Sequence, residues 1–156
     1  MDKYHYIGDI AILKNHKTAF FCSRSASPDV ILKTLDLAKA WREQGMTIIS
    51  SFHSPVEKEV LHILLKGKQP IIISPARCVE NMRIPQEWRQ GIAKDRILLI
   101  SPFKKNEKRM TSDLCDIRNE FVANLADEIF IAHAFKNGKI EELVKCHQNK
   151  IKIYKD

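Results

Sequence analysis

Short unbroken apolar runs alternate along the chain with longer stretches in which apolar residues recur every three or four positions. The runs at 18–23 (TAFFCS), 46–51 (MTIISS), 70–74 (PIIIS), 96–101 (RILLIS), 128–134 (EIFIAHA) and 150–154 (KIKIY) predict strands. The stretches at 28–45, 55–67, 85–95, 112–126 and 138–148 predict helices. Local punctuation supports the first two helices. Ser27 is an N-cap, Pro28 holds the first helical position, and Gly45 and Gly67 end the two segments. Alternation of buried-type strands with helices predicts an α/β fold: a doubly wound, mostly parallel sheet of about six strands with helices on both faces. An α+β arrangement with two of these runs antiparallel is the alternative. The first 17 residues are expected to form a flap or edge strand, with Gly8-Asp9 as a turn. At 156 residues a single domain over 1–156 is expected, with a core of ordinary size.

The helix at 112–126 contains an anomaly. At about 100° per residue, Leu114, Ile117, Phe121 and Leu125 fall on one stripe, and Arg118 projects inside that stripe or at its edge. A guanidinium facing a core needs a partner, because an unpaired buried charge is very costly. That partner is a carboxylate, a row of carbonyls or an anionic ligand.

Ligands of doubly wound sheets bind beyond the carboxyl ends of the strands, where strand order reverses. Three predicted loops lead there. The first, CSRSASPD, offers Ser23, Arg24 and Ser25 ahead of a helix N-terminus, a position that favours phosphate; Ser27 has the plainer role of capping. The second offers Ser51, His53 and Ser54, followed by His62 inside a helix beside apolar neighbours. The third is a turn of Asn137 and Gly138 with Lys139 starting a helix and Lys136 beside it, readable as an anion site or as an ordinary Asn-Gly turn. Arg118 and Asn119 lie one helix earlier. Arg24 and Arg118, far apart in the chain, are expected to meet over one sheet rim. Phe52, Phe103 and Phe135 are candidate stacking residues, with core packing as the alternative.

Charge changes the picture more than composition does. The formal net charge is +7 and the pI about 9.3, which favours nucleic acid, phosphates or acidic partners. The run KKNEKRM at 104–110 reads as a solvated loop or a phosphate-contacting one. Four scattered cysteines show neither CxxC nor zinc spacing, so free thiols and a cytoplasmic setting are expected. No apolar run is long enough to span a bilayer, the first residues carry no signal-peptide pattern, and neither metal nor cofactor is expected. No acid–nucleophile constellation stands out, so no catalytic residue is assigned.

Several segments, in this order and spacing, match a known pattern. YIGDIAILKNHKTAFFCSR has a Gly-Asp turn, a leucine, then a strand ending in Ser-Arg; ISSFHSPVEKEVLH keeps Ser51 and His62 at the ends of a degenerate Ser-Gly to Ala-His stretch. RNEFVANLADEIFIAHA follows an Arg-Asn-Arg segment, and FKNGKIEELVKCHQNKIKIY a Lys-Ser-Gly segment. On these residues the chain resembles the Rossmann-like core of the DNA-processing protein A family (DprA/Smf), within the superfamily that includes the Lonely Guy proteins. The resemblance implies a Rossmann-like fold and non-catalytic binding of single-stranded DNA, or another phosphate-bearing ligand, in a basic crevice. It also implies a recombinase partner and a homo-oligomer. By position it places Ser23, Arg24, Ser51, Arg118, Asn119 and Gly138 in the binding loops. The chain departs from the pattern where Cys22, Phe52 and Val56 replace glycines, Lys58 an aspartate and Glu120 the second arginine. The glutamate-ending motif of the Lonely Guy phosphoribohydrolases is missing, which argues against their base-releasing chemistry. A sensor or hydrolase acting on a nucleotide or its derivative is the alternative reading.

Overall fold

The structure is a computed structural model that describes residues 4–80, 82–103, 112–134 and 136–152. Its strands are β1 (His5–Ile7), β2 (Lys17–Cys22), β3 (Thr47–Ser50), β4 (Ile71–Ile73), β5 (Ile97–Ser101), β6 (Glu128–His133) and β7 (Ile151–Lys152). Its helices are α1 (Pro28–Gln44), α2 (Pro55–Leu65), α3 (Gln86–Ala93), α4 (Ser112–Leu125) and α5 (Lys139–Cys146). The strands form one seven-stranded sheet in the order β1-β5-β4-β3-β2-β6-β7. Every pairing is parallel except that of β1, which runs antiparallel along β5 at the edge. The seventh strand relative to the expected six is this N-terminal one. Gly8 turns the chain out of it at φ 116°, a conformation that L side chains rarely adopt.

Strand period 2 sorts the core into two layers. Phe20, Cys22, Ile48, Ile71, Ile73, Ile97, Leu99 and Phe130 face α1, α2 and α3. Ala19, Phe21, Ile49, Ile72, Leu98, Ile100 and Ile129 face α4 and α5. Adjacent residues of one strand thus serve opposite layers, which is why the strand sequences read as unbroken apolar runs. In the first layer the Trp41 indole meets Phe20 and Phe130 edge-on, at centroid distances of 5.6 and 5.4 Å.

Helix ends follow local chemistry. Ser27 accepts from the Val30 N–H at 3.4 Å, and Gly45 closes α1 in the left-handed region. Arg96 closes α2 from outside. Its Nε donates to the Gln69 carbonyl and its Nη1 to the Leu65 carbonyl, both at 2.8 Å, and Nη2 donates to Leu64.

The burial of α4 differs from the expected stripe. Arg118, Val122, Ala123 and Ala126 are buried, while Ile117 is half exposed and Leu114, Phe121 and Leu125 lie on the flanks. Val122 and the small Ala123 and Ala126 join the buried cluster with the strand residues, and the larger Phe121 packs beside the Tyr4 ring, 6.3 Å away. Arg118 therefore sits on the buried face itself.

Strand order runs outward from β2 through β3, β4 and β5, then returns to the other side of β2 with β6. The reversal falls between β2 and β6, and their carboxyl ends bound a crevice.

Candidate anion-binding crevice

At the reversal, β6 carries a bulge. Phe21 pairs with Ile131 but Cys22 pairs with His133, so one residue of β6 is unmatched. Bulges re-aim side chains at strand ends. Here Ser23 donates its N–H to the His133 carbonyl at 3.0 Å, and its Oγ is hydrogen-bonded to the His133 Nδ1. The β2 carboxyl end is thereby fixed just before Arg24.

Glu57 fixes the other wall. It is 5% exposed and occupies the third position of α2, after the N-cap Ser54. Its Oε1 accepts from the Ser51 Oγ at 3.1 Å, the His53 N–H at 2.9 Å and the Ser54 N–H at 3.2 Å. Its Oε2 accepts from the Cys22 N–H at 3.0 Å. Ser54 completes the link by donating its Oγ to the Cys22 carbonyl at 2.8 Å. The carboxylate thus occupies the anion position that an open helix N-terminus would present. At this helix end, negative ligands must look to side chains.

Those side chains converge on a cavity of about 260 Å³. Ser23, Arg24, Ser51, His53, Arg118, Asn119 and Lys139 all line it. Arg24 and Arg118 both act on the same imidazole. Burial above all, then Arg118, Lys58 and Arg24, hold the His53 pKa below the ordinary histidine value, against an opposing pull from Glu57. Ser25 lies in the exposed turn outside the lining. Asn137 and Gly138 also lie outside it. Asn137 adopts φ 60° and donates its N–H to Glu141 at 3.0 Å, and Gly138 caps α5, which delivers Lys139 to the cavity. Lys139 also bridges to Asp116 at 3.1 Å.

Arg118 is 6% exposed. Its Nε donates to the Asn119 Oδ1 at 2.8 Å, and the Cys115 sulfur lies within hydrogen-bonding reach. Its Nη1 is buried and, among the described residues, has no hydrogen-bond partner. Among the described residues it forms no ion pair. Burial lowers its pKa, opposed by Cys115 and by Glu57, yet a guanidinium remains protonated. A row of carbonyls serves half-buried Arg96 instead, and the Glu57 carboxylate, whose charge acts on Arg118, already accepts four hydrogen bonds.

A larger lobe of about 360 Å³ adjoins through Ser51, His53 and Arg118. It adds residues that the sequence did not single out as site residues, chiefly Arg77, Met82 and Trp88. Glu57 was also missed there, although Ser54-Pro-Val-Glu57 has the spacing of a capping box and was open to view. Phe52 and Phe103 are each 3% exposed and belong to the core, Phe52 also forming part of the lobe wall. Phe135 and the run 104–110 lie outside the described residues. Among the described residues, no group of three or more histidines, cysteines and carboxylates could hold a metal, and no helix is long and apolar enough to cross a membrane.

Residues 3–154 match the model of the DNA recombination-mediator protein A family. The chain belongs to that family. Solved relatives agree in fold. DNA processing protein A from Helicobacter pylori, described for its single-stranded DNA binding mode, is 19% identical, with a TM-score of 0.77 over 98% of this chain and 72% of that one. DNA processing protein A from Streptococcus pneumoniae is 14% identical, with a TM-score of 0.78 over 98% of this chain and 55% of that one. The chain thus spans little more than half of the streptococcal protein. The molybdenum cofactor binding protein of Rippkaea orientalis shares the fold more loosely, at 9% identity and a TM-score of 0.53 over 90% of this chain and 89% of that one. No curated protein matches in sequence.

The departures from the family pattern have visible consequences. Phe52, in place of a glycine, sits at φ 49° in the left-handed region, a strained position for a side chain. Its ring is buried in the core, and its N–H donates to the Ser50 Oγ at 3.1 Å. Glu120, in place of an arginine, accepts from or pairs with the His147 Nε2 at 3.1 Å and ties α4 to the end of α5.

Proposed function

We propose that this chain binds single-stranded DNA through its phosphates in the crevice between β2 and β6, as a non-catalytic recombination mediator. The observation that carries this reading is the unpartnered Arg118 Nη1, buried at a cavity that Arg24 and Lys139 also line. A buried donor without an acceptor is destabilising, and a phosphate oxygen would satisfy it with a charge-assisted bond. The chain's +7 charge would steer a polyanion toward the site. Family membership and the single-stranded DNA binding described for the Helicobacter pylori protein support the same ligand. Delivery of the bound strand to a recombinase, action in the cytoplasm and assembly as a homo-oligomer belong to this proposal.

The test is a fluorescence titration with a labelled single-stranded oligonucleotide over a range of salt, competed by mononucleotides. Neutralising three phosphates with Arg24, Arg118 and Lys139 predicts a log–log salt slope of roughly −2. The second reading, a site for one nucleotide derivative, is favoured by the partly apolar lobe beside the crevice. It predicts efficient mononucleotide competition with weak salt dependence. Absence of any oligonucleotide binding would overturn the first reading.

A further inference from the structure

We infer that Cys115 is an oxidative modification site, whose anionic product occupies Arg118 and closes the crevice to phosphate. The closing effect rests on the single-strand reading above; the modification site stands on the surroundings of the thiol.

Cys115 and Arg118 stand three residues apart on α4, so their side chains are neighbours on the helix surface. The Cys115 sulfur lies within hydrogen-bonding reach of the Arg118 guanidinium. That guanidinium is 6% exposed, and among the described residues its Nη1 has no acceptor. A buried donor without an acceptor favours any anion brought to it. The thiol is free and half-buried. With Leu114 it packs against the buried trio Ala76, Cys78 and Phe103, and it lines neither crevice nor lobe. The other cysteines lack this combination of access and position. Cys22 and Cys78 are each 1% exposed, and Cys146 is exposed at the end of α5, outside the crevice lining.

The chemistry is a two-electron oxidation of the sulfur by a hydroperoxide. The sulfur attacks one oxygen of hydrogen peroxide; an S–O bond forms and the O–O bond breaks. The departing hydroxide combines with the thiol proton and leaves as water, giving a sulfenic acid. A second peroxide adds a second oxygen and releases a second water, giving a sulfinic acid. Arg118 offsets the negative charge that develops on the oxygens. It then holds the product as an anion, whose oxygen accepts the Nη1–H that a phosphate would otherwise take. A reducing thiol returns the sulfenic acid to the thiol but leaves the sulfinic acid unchanged.

The experiment treats the whole chain with hydrogen peroxide, stops the reaction with catalase, and follows each cysteine by peptide mass spectrometry. Wild type, Cys115→Ser, Cys115→Ala and Arg118→Ala are compared. In wild type Cys115 is expected to gain oxygen roughly tenfold faster than Cys146, the scale of one charge-assisted hydrogen bond. Arg118→Ala should lose that lead, and so should wild type unfolded in urea, a comparison that needs no variant to fold. The oxidised and untreated proteins are then titrated with a labelled single-stranded oligonucleotide. Oxidised wild type is expected to bind roughly tenfold more weakly. With one cation neutralised, its log–log salt slope should flatten from roughly −2 to about −1.4. Cys115→Ser and Cys115→Ala should bind as untreated wild type does and keep that affinity through peroxide. Dithiothreitol should restore binding after brief oxidation. A Cys115 no faster than Cys146, or an oxidised Cys115 with unchanged binding, overturns the inference and leaves phosphate binding standing. An equal loss of affinity in peroxide-treated Cys115→Ser overturns it as well. If untreated wild type binds no strand, the single-strand reading falls with the closing effect, and the oxidation rates alone decide the modification site.

Discussion

The Glu57 carboxylate accepts the backbone N–H of Cys22 at 3.0 Å, across 35 residues of chain. This bond joins the end of β2 to the start of α2, and so sets the distance between the loop carrying Arg24 and the loop carrying Ser51 and His53. With its other oxygen already holding three donors, Glu57 is the keystone of the crevice floor. In Glu57→Gln one of these oxygens becomes an NH2 donor, so the buried donors on that side lose their acceptor. Glu57→Gln is expected to lower stability by about 2–4 kcal/mol in urea denaturation. Oligonucleotide affinity should fall with it, because both loops lose their anchor.

Half-buried Arg96 and buried Arg118 should respond in opposite ways to truncation. Arg96 donates to the carbonyls that end α2, so Arg96→Ala is expected to cost about 1.5–3 kcal/mol. Binding by the folded fraction should persist. Arg118 has one orphan nitrogen and no carboxylate of its own, so Arg118→Ala is expected to change stability by no more than about 1 kcal/mol while abolishing binding. Thermal melts and titrations on the same two variants check both halves. An Arg118→Ala protein that unfolds would mark the arginine as structural.

His53 predicts a pH dependence. Its pKa lies below the ordinary histidine value, chiefly through burial and then through Arg118, Lys58 and Arg24. A bound phosphate would offset those cations and raise that pKa, so binding takes up a proton. Affinity should therefore rise as pH falls from about 7.5 to 5.5, by about three- to tenfold. His53→Gln should flatten the profile. For the free protein the sign is reversed. The unfolded chain takes up the proton first, so the contribution of His53 to stability is present above the ordinary histidine pKa and is lost as pH falls below it.

Cys22 predicts a silent thiol. Burial, reinforced by the Glu57 charge, pushes its pKa up to about 12. Reaction with a thiol-specific disulfide reagent at pH 8 should label exposed Cys146 quickly and Cys22 only after unfolding, as mass spectrometry of the labelled peptides would show. In alkali the unfolded thiol ionises first, so this group's contribution to stability declines as pH rises above the usual cysteine pKa.

Much of the architecture was legible because its signals are local. The N-cap Ser27, the stop at Gly45 and the unbroken apolar strands at 46–51, 70–74 and 96–101 report on neighbours a few residues away, and α1, β3, β4 and β5 formed where these signals lie. The stripe on α4 did not follow. Periodicity locates apolar residues, but close packing chose the small Ala123 and Ala126 for the sheet and sent Ile117 toward solvent. The Ser54–Glu57 capping box was written in four consecutive residues, whereas its grip on the Cys22 N–H was not, since nothing in either segment encodes the other.

The sequence by itself determined the order of strands and helices, the surplus of positive charge, and the presence of arginines in two loop-proximal segments. Those properties need only local spacing and composition. Tertiary structure decided which layer each strand residue faces, that α2's N-terminus is filled by its own glutamate, and that Arg24, His53 and Arg118 border one cavity. It also decided that Arg96 finds carbonyls while Arg118, among the described residues, keeps an unpartnered nitrogen. The difference is physical: a charge's partners are set by distance in space, and chain separation fixes that distance only after the sheet has closed.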